Sequence, residues 1–164
     1  MARPFQHWAI ALIFSCSLVN QSMADSTTDE TDLQRGEAVL KSFTKNQGVP
    51  AGFQQLQNDF PELATMVQDF AMGQVWSRDI IDAKTSQLIA LAGFAAQGDW
   101  PQFKAQAQYA INFGATPEEL MEVVYITTVT SGFSKSLNAA YTLKALFAEN
   151  GMSFSGEGAA KEKH

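Results

Sequence analysis

Residues 85–97 are the most apolar helix-length run in the chain: Leu88, Ile89, Leu91 and Phe94 stand among Ala90, Ala92, Gly93, Ala95 and Ala96, leaving almost no polar face. A helix that is apolar all round is expected to be buried all round. Gly98 and Asp99 break the run, and Pro101 suits the first turn of a second helix. That second helix carries Lys104, Gln106, Gln108 and Asn112 among apolar positions and stops at Gly114. The junction of the two helices is the predicted place for a pocket.

The same pattern reading extends along the chain. Thr31 followed by Gln34 is a capping-box spacing and predicts a helix to about Lys45. Gly48, Pro50 and Gly52 predict a loop over residues 46–52, and Pro61 opens a helix in which Leu63, Met66, Val67, Phe70, Ala71 and Val75 recur at helical spacing as far as Trp76. Residues 123–130 are β-branched and read as a strand by propensity alone. The Thr116-Pro117-Glu118-Glu119 start overrides that, because a cap, a proline and a closing glutamate launch a helix into the run. Gly132 punctuates it, and Leu137, Ala140, Leu143, Leu146 and Phe147 mark a last helix ending near Gly151. The predicted fold is all-α, a compact domain of about six helices. Met66, Met72 and Met121 fall at helical spacing among apolar neighbours and are expected in the core.

A chain of 164 residues suits one domain. Residues 1–24 have the form of a cleaved signal peptide: Arg3, an apolar stretch over residues 8–19, and Ser22-Met23-Ala24 as the cleavage site. The expected organisation is then a polar leader over 25–31, the domain over 32–151 and a loose tail over 152–164, in a periplasmic or secreted protein with no stable membrane insertion. Cleavage removes Arg3 and no acid, so Lys plus Arg falls from 11 to 10 against 17 Asp plus Glu and the net charge moves from -6 to -7. Such a surface repels phosphate backbones and argues against nucleic-acid partners.

The cut also removes Cys16 and His7, the only cysteine and one of two histidines. What remains has no disulfide, no thiolate nucleophile and no Cys/His metal site, and its one imidazole is the terminal His164. No metal or cofactor is expected. Any chemistry falls to carboxylates, Lys, Arg, Tyr, hydroxyls and amides.

Four stretches, taken in order, carry a resemblance: Gly73-Gln74-Val75-Trp76-Ser77-Arg78; Asp82-x-Lys84-Thr85-x-Gln87-Leu88-Ile89-Ala90-Leu91-Ala92; Ala110-x-Asn112-x-Gly114-Ala115-Thr116-x-Glu118-Glu119; and Gly132-Phe133 with Leu137-Asn138-Ala139. Over about residues 33–147 the chain resembles the carboxymuconolactone decarboxylase family, which includes the alkyl hydroperoxidase D type of peroxidase. The resemblance implies an alkyl hydroperoxidase D-like helical fold assembled as trimers or hexamers. It also implies a site. In the peroxidase branch a Glu, a Cys-x-x-Cys and a His form a proton-relayed disulfide centre, and those four places are held here by Gln87, Asp99, Gln102 and Gln106. Without thiols, peroxidase chemistry is not expected.

The decarboxylase branch lacks the cysteine pair and typically keeps the His; Gln102 looks like that branch's residue, whereas Gln106 replaces the His by an amide that hydrogen-bonds but shuttles no proton near neutral pH. The expected function is a decarboxylase-like lyase or isomerase on a small carboxylated, lactone-type substrate, with non-catalytic small-molecule binding or assembly as the alternative. Asp99 and Gln106 are the candidate catalytic residues; Trp76, Arg78, Gln87 and Gln102 are the candidate substrate-binding residues. Three of them have a plainer use. Asp99 after Gly98 suits a helix cap, Arg78 suits an ion pair or a stack on Trp76, and Gln87 suits a backbone carbonyl. The apolar residues of 61–75, 88–96 and 118–131 exceed what one small domain buries, which predicts a homo-oligomer.

Overall fold

The computed structural model describes residues 30–153, and among them every regular element is helical. The predicted leader over 1–24, most of the 25–31 segment and residues 154–164 lie outside the described residues. Seven α-helices follow in order: α1 (Asp32–Ser42), α2 (Ala51–Asp59), α3 (Pro61–Met66), α4 (Ala83–Gln97), α5 (Trp100–Asn112), α6 (Pro117–Ser131) and α7 (Phe133–Glu149). Between α3 and α4 the chain continues as a π-helix (Val67–Val75) and a single 3-10 turn (Trp76–Arg78).

The capping signals act as the sequence predicts. Thr31 and Gln34 exchange both bonds of a capping box at α1, and Thr116 and Glu119 do so at α6, so residues 123–130 are helical despite their β-branched composition. Two elements depart from the sequence reading. Helix α2 was not expected; its N-terminus carries Pro50 and no side-chain cap, so it lacks the local signal that marked its neighbours. The helix from Pro61 is not α-helical throughout, since after Met66 it widens, and the Trp76 N–H reaches the Ala71 carbonyl five residues back.

Two apolar cores result. The larger lies among α4–α7 and buries Leu91, Phe103, Leu120, Leu143, Leu146 and Phe147 with a set of alanines. Here α4 packs on α5, α6 on α7, and α4 and α5 each also meet the other pair. The smaller joins Leu40, Phe53 and Ala64, with Val49, Leu56, Val67 and Met72 half-buried around them. In this N-terminal layer α1 lies along the π-helix at backbone contact distance. A Cβ at Gly36 would overlap the Gln68 carbonyl, and one at Gly73 would overlap the Asp32 carbonyl.

Burial corrects two expectations. Helix α4 is not buried all round: Gln87, Leu91 and Ala95 are buried, but Ile89 is 56% exposed, because the single chain packs only one side of the helix. Met66 is 65% exposed, whereas Met72 and Met121 pack against the two cores.

Candidate functional site

The turn that ends the N-terminal layer makes the most distinctive surface feature. The π-helix runs into Trp76–Arg78, and Asp79 then takes a left-handed conformation at φ 49° and ψ 30°. Only a minority of non-glycine residues adopt it, with Asp among the more tolerant. That kink turns the chain back toward α4 and leaves a cleft of about 450 Å³, within the size range of small-molecule sites. Val75, Trp76, Arg78, Asp79, Ile80 and Ile81 form one wall; Ser86, Ile89 and Ala90 of α4 form the other. The lining is mostly apolar, with one cation, one carboxylate and one hydroxyl.

Arg78 is exposed and makes no hydrogen bond or ion pair among the described residues, unlike Arg35, Lys41, Lys84 and Lys104, each of which meets a carboxylate. Neither the expected structural ion pair nor a stack on Trp76 occupies it. A guanidinium beside apolar walls suits an incoming carboxylate, which it can grip through two parallel N–H bonds.

The turn is fixed from behind. The Gly73 carbonyl accepts from Arg35 Nε at 3.4 Å and from the Ser77 hydroxyl, and Arg35 is itself held by Asp32 and the Glu30 carbonyl. Phe43 sets its ring edge-on to the Trp76 indole, with centroids 5.7 Å apart.

The other candidates lie elsewhere. Gln87 and Gln106 meet across the α4–α5 pair, the Gln106 amide donating to Gln87 Oε1, and both are buried. The Gln87 Nε2 group has no partner. Gln87 therefore binds a second side chain and not a backbone carbonyl, and its amide leaves a buried donor unsatisfied, which is uncommon and costly. Asp99 caps α5, its carboxylate accepting from the Gln102 N–H at 3.2 Å, and the Gln102 side chain is exposed. Of the six candidates the cleft thus brings together Trp76 and Arg78; Gln87 and Gln106 pair in the interior, and Asp99 and Gln102 stand at the α4–α5 turn. The cleft described above lies at the other end of α4 from that turn, where the chain enters the helix.

Asp79, Ile80, Ile81, Ser86 and Ile89 were not anticipated in the site. One signal was available for the loop residues: two adjacent isoleucines stand between helices, and Ile80 is 81% and Ile81 47% exposed.

Ionisable groups with displaced equilibria lie outside the cleft: burial raises Tyr109 on α5, and three more sit around the start of α4. Hydrogen bonding from Lys84, at 2.7 Å, and from the Thr116 N–H holds the Glu119 carboxyl below its ordinary range, and Glu119 in turn raises Lys84. The hydroxyl and N–H of Thr85 lower Asp82. These are cap and ion-pair effects that fasten α4 to α6.

Comparison with known proteins agrees with this architecture. The chain is 23% identical over 124 residues to 4-carboxymuconolactone decarboxylase of Acinetobacter baylyi, covering 76% of this chain and 92% of that one. It is also 23% identical over 123 residues to an uncharacterized 15.0 kDa protein of Paracoccus denitrificans, covering 71% and 88% respectively. The family model for carboxymuconolactone decarboxylases matches residues 61–145, from the start of α3 into α7. That match spans just over half of the 164 residues and takes in both walls of the cleft, and the chain belongs to the carboxymuconolactone decarboxylase family.

Proposed function

We propose that this protein takes a small carboxylated molecule of the lactone-acid class into the cleft between Trp76 and Ile89, with Arg78 holding the carboxylate. The observation that carries the reading is Arg78 itself, a cation without a partner among the described residues at the edge of an apolar cleft. The site supports binding more directly than turnover. Loss of CO2 leaves an electron pair that must be stabilised and then protonated, and the amide pair Gln87–Gln106 carries no exchangeable acid near neutral pH. Asp99 is engaged as a helix cap.

A second reading, a decarboxylase-like lyase or isomerase, is favoured by the named relative and by Asp79, a carboxylate-bearing residue of the cleft lining next to Arg78 in the chain. Calorimetry with 4-carboxymuconolactone and related cyclic acids, followed by mass spectrometry of the recovered ligand, separates the two. Binding that Arg78→Gln abolishes, with ligand recovered unchanged, supports the first reading. Released CO2, lost on Asp79→Asn, establishes the second, and no Arg78-dependent binding by any acid contradicts both.

We also propose that the protein works as a homo-oligomer. Fifteen large apolar side chains are exposed, including Phe60, Phe70, Tyr125, Phe133 and Tyr141, each more than 60% exposed. At roughly 200 Å² per aromatic side chain, these five alone expose upwards of about 600 Å² of apolar surface, spread over the N-cap of α3, the π-helix, α6 and α7. Leu63, Met66, Ile126, Val129 and Leu137 add further exposed apolar area outside the cleft, and a stable interface needs roughly 800 Å² per partner. Light scattering of the purified protein at micromolar concentration should return a multiple of the chain mass, reduced by Val129→Glu; a monomer mass sinks this proposal.

A further inference from the structure

The two walls of the cleft belong to different parts of the molecule. Trp76 and Arg78 end the N-terminal layer, whereas Ser86, Ile89 and Ala90 sit on α4 of the bundle. The width of the cleft therefore depends on how the layer docks, and one residue stands at that docking point. Phe43, which follows α1, is 5% exposed and lines no part of the cleft. Its ring meets Trp76 edge-on, stacks on Tyr109 of α5 with centroids 4.8 Å apart and planes at 26°, and meets Phe113 edge-on at 6.1 Å. Its carbonyl accepts from Asn112 Nδ2 at 2.7 Å.

Phe43 thus touches the cleft's tryptophan on one side and the bundle on the other. Nor can α1 slide to accommodate a shift, because Gly36 and Gly73 hold it against the π-helix at backbone contact. Close-packed interiors transmit displacement and do not absorb it, so a change at Phe43 reaches Trp76. Residue 43 also precedes the stretch that the family model matches.

We propose that Phe43 is a positioning and specificity-determining residue: through Trp76 it sets the gap between the walls, and so the size of carboxylic acid the cleft accepts. This rests on the reading of the cleft as a carboxylate site, and the test separates the two. The full chain carrying Trp8→Phe and Trp100→Phe leaves Trp76 as the sole indole. Acrylamide quenching of Trp76 is measured without ligand, and binding of benzoate and of 2-naphthoate is then measured by calorimetry, in this background and with Phe43→Leu added.

The expected result is stronger quenching in Phe43→Leu and a change of about tenfold in the benzoate to naphthoate affinity ratio, the upper range for losing one aromatic pair. A purely structural role would weaken both acids in parallel and leave their ratio unchanged, and that result overturns the proposal, as does unchanged quenching. If neither acid binds the starting protein, the carboxylate reading fails and the specificity claim falls with it, while the quenching still decides whether Phe43 positions Trp76. Should Phe43→Leu not fold, Asn112→Ala removes the carbonyl contact, together with the 3.4 Å bond that Asn112 Oδ1 accepts from Gln108 Nε2, leaves the Phe43 ring in place, and is expected to move quenching and ratio in the same direction by a smaller amount.

Discussion

The α4–α7 bundle and the N-terminal layer are built from similar residues and differ in how completely they are packed. In the bundle, Phe103, Leu91 and Leu120 are fully buried and Leu143, Leu146 and Phe147 nearly so; polar ties close its rim, Lys84 to Glu119, Lys104 to Glu149 and Lys135 to the Gln97 carbonyl. The layer buries three apolar residues in its own core and leaves Phe60, Leu63, Met66 and Phe70 exposed along a single helical stretch. It also holds the irregular backbone: the π-helix, the 3-10 turn and left-handed Lys45, Asn46 and Asp79. The half with the larger core provides one wall of the cleft, and the half with the smaller core provides the turn that forms the other. π-Helical segments recur at functional sites for this reason, since the wider turn re-aims the side chains that follow.

This contrast is broken most severely by opening a cavity in the bundle. Phe103→Ala is expected to destabilise by about 3–5 kcal/mol and to unfold the whole chain in one transition by thermal denaturation. Leu40→Ala deletes comparable chemistry from the layer, where neighbours are fewer and only half-buried, and is expected to cost less, nearer about 2 kcal/mol. A larger cost for Leu40→Ala than for Phe103→Ala would invert the ranking of the two halves.

Next comes the close approach of α1 to the π-helix. Gly73→Ala places a methyl against the Asp32 carbonyl, and forcing the helices apart is expected to cost about 1–3 kcal/mol. Because the strain lies beside Trp76 and Arg78, ligand affinity should fall further than stability does. Hydrogen exchange would show faster exchange in α1 and the π-helix with α4–α7 unchanged; uniform acceleration would mean that the halves are not distinct.

A smaller effect is expected at the buried amide pair. Gln106→Leu alone strands Gln87 without its one hydrogen-bond partner and should cost about 1–3 kcal/mol. The double variant Gln87→Leu with Gln106→Leu removes both polar groups, including the unsatisfied Nε2, and should regain most of that loss. If the double is less stable than the single, the pair contributes more than its visible hydrogen bond.

The smallest effect is electrostatic. Glu119 is held below its ordinary range by Lys84 and Thr116, so its contribution is present above about pH 4.3 and is lost as pH falls through its lowered folded value. Lys84 is raised, so its share is complete below its ordinary value and is lost only as pH rises through the raised one. Both groups keep about a third of their side-chain surface in solvent, and Glu119→Gln should change the melting temperature little at pH 7 and flatten its dependence below pH 4.

What was legible in the sequence follows the same division. Threonine caps and prolines placed α1, α3 and α6, and the break at Gly98–Asp99 placed the α4–α5 turn, because these are local effects. Helix α2 carries no cap, and a widened π-turn has no residue signature, so both were missed. Trp76 and Arg78 stand out as candidates because they sit in a recognisable stretch, and Gln87 and Gln106 because the resemblance aligns them. The cleft was not found, since its walls meet only when Asp79 reverses the chain and α4 comes alongside. The exposed side of α4 misled for a related reason: an apolar pattern marks a face that wants burial and does not say which molecule supplies it.

The central claim is that the site lies at the layer–bundle junction and is anchored by Arg78. Amide chemical-shift mapping with benzoate, on the wild-type protein and on Arg78→Gln, tests it most directly. Shifts concentrated in residues 75–81 and 86–90, and absent in the variant, are the expected result. Shifts centred on Gln87, Gln106 and the Asp99 turn, or shifts that survive the loss of Arg78, would contradict it.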